Sequence, residues 1–194
     1  RSGHSFPTRR SSDLYGLFPD LDNFGKQILL KKENFSSHGG SEKRAVLAKT
    51  LKRQYQKINA SEASLANIEL LEKDSTFTVT TGHQLNLFTG PLYFLYKIVT
   101  AINLAADLKK EYPEYNFVPV YWMATEDHDF EEISFFHLHG KKFQWNPPKS
   151  KKTGGPVGEM PTDRLEDVFE LFSAEIGSSK NAQQLKEWFK KAYL

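Results

Sequence analysis

The chain has 194 residues, 39% of them hydrophobic and 26% charged, with 26 Lys and Arg against 24 Asp and Glu and no cysteine. That length supports one substantial core with a small appendage, and the proportions are those of a soluble globular chain and not of a disordered or collagenous one. A net charge of +2 without a continuous basic stripe argues against nucleic acid as a partner, and the missing cysteine removes disulfides, zinc ribbons and thiol nucleophiles. No apolar run reaches the roughly 20 residues that span a bilayer; the best stretch, residues 91–108, is interrupted by Lys97, Asn103 and Asp107. The expectation is a cytoplasmic protein that does not enter a membrane.

In chain order, residues 1–14 (RSGHSFPTRRSSDL) differ from everything after them. They are Arg- and Ser-rich and lack periodicity, and they are set aside, with His4, as a non-native, adapter-like tail. From residue 15 the chain is expected to be the amino-terminal part of a larger domain, truncated at the carboxyl end. A turn at Leu17-Phe18-Pro19-Asp20 leads to a short apolar segment ending at Ile28-Leu29-Leu30, and residues 36–41 (SSHGGS) read as a loop. Ser41 can cap a helix starting at Glu42, in which Leu47, Leu51 and Tyr55 recur at helical spacing, and residues 63–71 predict a second helix. Residues 76–80 (TFTVT) are β-branched and aromatic and predict a strand. Gly90-Pro91 then opens a long helix over residues 91–110, with Leu92, Leu95, Val99, Ile102 and Ala106 on one stripe that Ile98 and Ala105 widen.

The next strand falls within residues 117–123 (FVPVYWM), nearly apolar on both faces as in a parallel strand covered by helices. Pro119 loses a ladder bond, so the strand core is placed at residues 120–123. Residues 133–138 and 142–145 predict two short strands, residues 146–161 a long Pro/Gly/Lys loop, and residues 165–176, capped by Thr162 or Asp163, a helix. A last helix is expected over residues 182–192. Strand, long helix, strand is a β-α-β unit. The fold class is therefore α/β, a Rossmann-like open parallel sheet core with an amino-terminal helical extension.

Two constellations carry chemistry. The first is Thr81, Gly82, His83 and Gln84 leaving the first strand, with Thr89, Gly90 and Tyr93 at the helix start. The carboxyl-end crevice of a parallel sheet is where ligands bind. Hydroxyls and amides there suit a polar ligand, and the imidazole of His83 is a candidate for acid–base work. Neither a Walker loop nor a dinucleotide glycine fingerprint is present. The bland alternative is that Gly82 and Gly90 make turns and His83 bonds backbone, with Leu87 and Phe88 as core plugs either way.

The second constellation is Thr125-Glu126-Asp127-His128-Asp129, followed by Glu131-Glu132. Five carboxylates and an imidazole in seven residues need a cation, an amine or a basic side chain to offset their field. A zinc reading would join His128 and Asp127 or Asp129 to His83, but the HExxH spacing is absent, and no metal site is assigned. A solvated capping loop is the bland alternative. His137 and His139 read as hydrogen-bonding groups at a strand end. The lysines of residues 149–152 clamp an anion or merely solubilise the loop.

On these two stretches, residues 79–84 with 87–93 and residues 119–124 with 126–132, the chain resembles the cysteine-adding enzymes of bacillithiol biosynthesis. The resemblance implies a Rossmann-like core, a polypeptide of which this is the front third, and a later helical coiled coil that makes a homodimer. It implies a reaction joining the carboxyl of L-cysteine to the amine of glucosaminyl-malate. Asp127, His128 and Asp129 are then the catalytic candidates. Thr81, Gly82, His83, Gln84, Thr89, Gly90, Tyr93 and Glu126 are the substrate-binding ones. The activating cofactor is left open, with ATP and magnesium as candidates. Many relatives carry Gln where this chain has His83, which favours ligand positioning there over an obligatory base, and small residues are common where Thr125 stands. Other expected partners are the small-molecule substrates and the remainder of the same polypeptide, and this chain alone is expected to be inactive. The competing functions are another nucleotidyl- or acyl-adenylate-forming transferase and a non-catalytic ligand-binding module.

Overall fold

The computed structural model describes residues 16–18, 20–148 and 155–194. The tail at residues 1–14, Tyr15, Pro19 of the first turn and the lysine run at residues 149–152 lie outside the described residues. The described residues form two compact units, one made of those up to Phe77 with Glu111–Val118, the other of Thr78–Lys110 with those from Pro119 to Leu194.

The first unit is mainly helical. Asp20 caps a short 3-10 turn, Leu21–Asn23, which runs into α1, Phe24–Ser36. α1 is longer than the apolar segment expected there. Only Ile28 of it is buried, while Leu29 and Leu30 face solvent, so no apolar stripe announces its length. α2, Gly40–Tyr55, begins two residues before the expected start at Glu42 because Gly39 takes a left-handed turn; Ser41 is not the cap but donates to Asp74 at 3.1 Å. α3, Glu62–Leu70, is capped by Ser61, whose Oγ accepts from the Ser64 amide. Arg44 ties this unit together. Its Nη2 donates to the Thr76 carbonyl at 2.8 Å and its Nη1 to the Leu71 carbonyl at 3.2 Å, over the Phe35 ring.

β1, Thr76–Gln84, pairs with β2, Asn116–Ala124. The Asn116 amide donates to the Ser75 carbonyl at one end, and Gly82 lies against Trp122 at the other, so the pair runs parallel as expected. β1 continues through Gln84, four residues beyond the expected end at Thr80, which places Thr81 to Gln84 on the strand and not in a loop. Pro119 sits mid-strand without disrupting the pair. Strand residues alternate edges, so if Asn116 donates toward β1, Val118 and Val120 do too, and Pro119 turns its missing N–H to the other side.

α4, Tyr93–Glu111, connects the two strands. It starts at Tyr93 instead of Pro91, and its buried face is centred on the edge of the expected stripe, where Ala105 is buried and Ile98 half-buried. Ala101, Ala105 and Leu108 are buried, whereas Leu92, Leu95, Val99 and Ile102 are exposed, Leu92 by 64%. The apolar residues form two neighbouring stripes, and the one with the smaller side chains is inside. On β2, Trp122 and Met123 are likewise exposed, so that strand is not covered on both faces here.

The second unit has an aromatic core. After β2, Phe130–Ile133 forms a helical turn, α5, where the strand was expected to have begun. β3, Phe135–Leu138, and β4, Lys141–Gln144, make an antiparallel hairpin with Phe136 opposite Phe143. Its two-residue loop has His139 and Gly140 both at positive φ, the geometry that matches strand twist. Lys141, and after it His139, reach the Glu175 carboxylate and hold it below the usual carboxylate range; His137 is exposed. α6, Leu165–Ile176, has Arg164 at its cap position, so neither Thr162 nor Asp163 caps it. α7, Lys180–Tyr193, is capped by Ser179. Leu87 and Phe88 are core as expected, packed with Phe143, Trp145, Leu165, Val168 and Phe172.

Candidate functional site

Both constellations lie in the second unit, one at the carboxyl end of each parallel strand. Gln84, the last residue of β1, donates from Nε2 to Asp127 Oδ2 at 2.6 Å. The other carboxylate oxygen of Asp127 accepts the Asp129 amide at 3.0 Å. The Gln84 bond, then the Asp129 amide, hold the Asp127 carboxyl below the usual carboxylate range, against the opposing effect of burial. Asp127 is therefore an anion at neutral pH, suited to hold a cation and unsuited to supply a proton.

A depressed carboxyl contributes stability above its unfolded pKa and loses it as pH falls through the folded value. Accordingly, a carboxyl-carbon NMR titration of Asp127 should give a midpoint below that of an exposed aspartate. Gln84→Ala should raise it toward the ordinary range, because the largest cause of the depression is gone.

Asp129 has a different task. Its side chain accepts the Glu132 amide at 3.2 Å and caps α5. Glu126 and His128 are exposed beside it. Among the described residues, no three His, Asp or Glu side chains are arranged to hold a metal ion, and the imagined zinc set of His83, His128 and an aspartate is not assembled.

His83 belongs to a neighbouring cluster. Its Nε2 lies 2.8 Å from the Tyr93 hydroxyl and its Nδ1 2.8 Å from Asn86 Nδ2. The Phe94 ring stands edge-on to it at 5.9 Å, and Tyr121 donates to its carbonyl at 3.3 Å. Burial raises the Tyr121 hydroxyl above the ordinary tyrosine value, so that it remains a donor. Lys97 donates to the Gly82 carbonyl at 3.0 Å, with its ammonium 5.7 Å from the Tyr93 ring. The one-turn spacing of Tyr93 and Lys97 along α4 was a legible signal for that lysine.

Between them runs the turn Leu87–Thr89. Phe88 (φ 45°) and Thr89 (φ 71°) are both left-handed without being glycine. Each such residue costs on the order of 1–3 kcal/mol and persists only where its surroundings impose it. Gly90 follows at φ 57°, and a Cβ there would lie 2.7 Å from that of Asn86, so glycine is required on both counts. Thr81 is half-buried on β1, and the Thr89 amide donates to the Tyr193 hydroxyl at 3.2 Å.

The far end of the Pro/Gly/Lys loop folds over the acidic segment. Val157 donates to the Asp127 carbonyl at 2.7 Å and Gly158 to the Thr125 carbonyl at 3.0 Å. A Cβ on Gly158 would meet the Thr125 Cβ at 2.6 Å. Gly158→Ala should therefore destabilise the fold by about 1–3 kcal/mol in denaturant unfolding, and adding Thr125→Gly should recover only part of that loss, since the Thr125 backbone oxygen, 3.0 Å from the new Cβ, remains.

Paired parallel strands joined by a long helix, with polar side chains gathered at their carboxyl ends, define a Rossmann-like α/β domain. The comparisons carry this further. Residues 7–194 match the family model "Bacillithiol biosynthesis BshC, N-terminal Rossmann-like domain", and the chain belongs to that family. It is 56% identical over 181 residues to a Flavobacterium johnsoniae protein named "Putative cysteine ligase BshC", which covers 93% of this chain and 33% of that protein. Proteins of the same name from Christiangramia forsetii and Anoxybacillus flavithermus are 55% and 33% identical, over 94% and 81% of this chain. The chain spans about a third of the length of the curated relatives it matches. Among the described residues no helix is long and apolar enough to cross a membrane.

Proposed function

We propose that this domain holds substrate in a cytoplasmic ligase that joins the carboxyl of L-cysteine to the amine of glucosaminyl-malate. Membership of the BshC family supports the reaction class. The observation that carries the site is the Gln84–Asp127 hydrogen bond, which joins the two motif segments at the strand ends. An ionised, half-buried Asp127 is matched to the ammonium of an incoming amine, and Gln84 fixes the direction in which it is presented. His128, next in the chain and exposed, takes the proton that the ammonium must lose before its nitrogen attacks. Asp129 supports this arrangement through its backbone amide and its cap. Thr81, Gly82, His83, Thr89, Gly90, Tyr93 and Glu126 are assigned to binding the rest of the substrates.

Condensing a carboxylate with an amine expels the elements of water, so the carboxyl has to be activated; ATP with magnesium is the activator to test. A polypeptide carrying this domain at the relatives' full length, expected to act as a homodimer, is incubated with L-cysteine, glucosaminyl-malate and ATP-magnesium. Mass spectrometry should find the cysteinyl amide. An absence of that product under every activating condition, from folded protein, would remove the ligase reading. The 194-residue chain alone should yield no product, since it spans only a third of its relatives.

A further inference from the structure

Tyr193, on the last turn of α7, lies 107 residues beyond Asn86 in sequence, yet its hydroxyl donates to the Asn86 carbonyl at 3.1 Å and accepts the Thr89 amide at 3.2 Å. These two bonds span the strained turn. The Tyr193 ring stands edge-on to Phe88 at 5.2 Å and burial raises its hydroxyl above the ordinary tyrosine value, which keeps it a donor. Asn86 is in turn the residue that meets His83. Its Nδ2 donates to the Gln84 carbonyl at 2.9 Å, which identifies that atom as the amide nitrogen. The same nitrogen lies 2.8 Å from His83 Nδ1, closer than the Gln84 carbonyl at 3.2 Å, to which a proton on Nδ1 would point; the shorter contact assigns Nδ1 as the acceptor and leaves the ring proton on Nε2 to donate to the Tyr93 hydroxyl.

We propose that Tyr193 is a positioning residue for the candidate site: its hydroxyl clasps the left-handed turn at Phe88 and Thr89, holds Asn86 against His83, and so fixes the imidazole as the Nε2-protonated tautomer. The role of His83 is then to present an oriented donor through Tyr93. This rests on residues 81–93 being part of the substrate site, but its test does not use activity, so the two can fail separately.

The imidazole nitrogens of His83 are observed by NMR in the 15N-histidine-labelled 194-residue chain above neutral pH. The unsubstituted chain should give the shift pattern of a single Nε2-protonated tautomer. Tyr193→Phe, which keeps the ring and loses the hydroxyl, should give averaged shifts from exchanging tautomers. Phe189→Leu, which disturbs the rings around Phe88 and Tyr193 and spares the hydroxyl, should leave the pattern unchanged. Adding Thr89→Gly to Tyr193→Phe relieves the left-handed strain and should restore the single tautomer. Mixed tautomers in the unsubstituted chain, an unaltered pattern in Tyr193→Phe, or an equal change in Phe189→Leu would each overturn the proposal. If Tyr193→Phe fails to fold, recovery of folding on adding Thr89→Gly supports the clasp, and continued unfolding overturns it.

Discussion

Phe88→Ala should lower the unfolding free energy of the second unit by about 3–5 kcal/mol in denaturant titration. The ring is 4% exposed and is the hub of the aromatic core, with centroids of Phe136, Phe169, Phe172, Phe189 and Tyr193 between 5.2 and 6.1 Å away. Its backbone is also left-handed, so packing around the ring is what retains an unfavourable conformation. Alanine removes the packing and keeps the strain. Since whole domains are stable by only about 5–15 kcal/mol, that loss is a large fraction of the total. Leu92→Ala is the matched control. A hydrophobicity stripe would make Leu92 core, but it is 64% exposed, and its loss should change stability by no more than about 0.5 kcal/mol. Equal losses for the two variants would mean that the packing centre has been misplaced.

That contrast marks where sequence patterning stops being informative. β1 and β2 were legible because β-branched and aromatic residues cluster between turn signals, and a single long helix between them implies a parallel pair. The existence of α4 was legible too, but its facing only in part, through Ala105. Leu92, Leu95, Val99 and Ile102 outweigh Ala101 and Ala105 on any hydrophobicity scale, yet the alanines are inside. α1 escaped notice for the converse reason, burying one residue of its length. At the site, the meeting of Gln84 with Asp127 follows from topology, since both leave neighbouring strand ends. The division of labour among the carboxylates does not follow. Whether an aspartate faces a ligand or caps a helical turn depends on the dihedrals of residues 127–130, and Asp129 caps. Tyr193 had no local signal at all, because its partners are more than 100 residues away.

The acidic segment yields the largest expected effect on catalysis. In a polypeptide of the relatives' full length, Asp127→Ala or His128→Ala should lower kcat/KM for ligation at least about tenfold, equivalent to roughly 1.4 kcal/mol of barrier. The two should differ in how the loss is divided. Asp127→Ala removes the anion that holds the amine and strands the Gln84 amide, so KM for the amine substrate should rise. Asp127→Asn keeps the shape and a hydrogen-bonding oxygen without the charge, so if charge is what matters it should lose nearly as much as alanine. His128→Ala should instead lower kcat, and raising the pH should recover part of the loss as more of the amine arrives deprotonated. Asp129→Ala should act through stability, because its carboxylate serves the α5 cap, worth about 1 kcal/mol, while its amide to Asp127 survives the substitution. Steady-state kinetics against amine concentration, with folding checked by circular dichroism, separates these outcomes. Full activity in folded Asp127→Ala and His128→Ala would move the chemistry elsewhere in the polypeptide and leave these strand ends with a structural role alone.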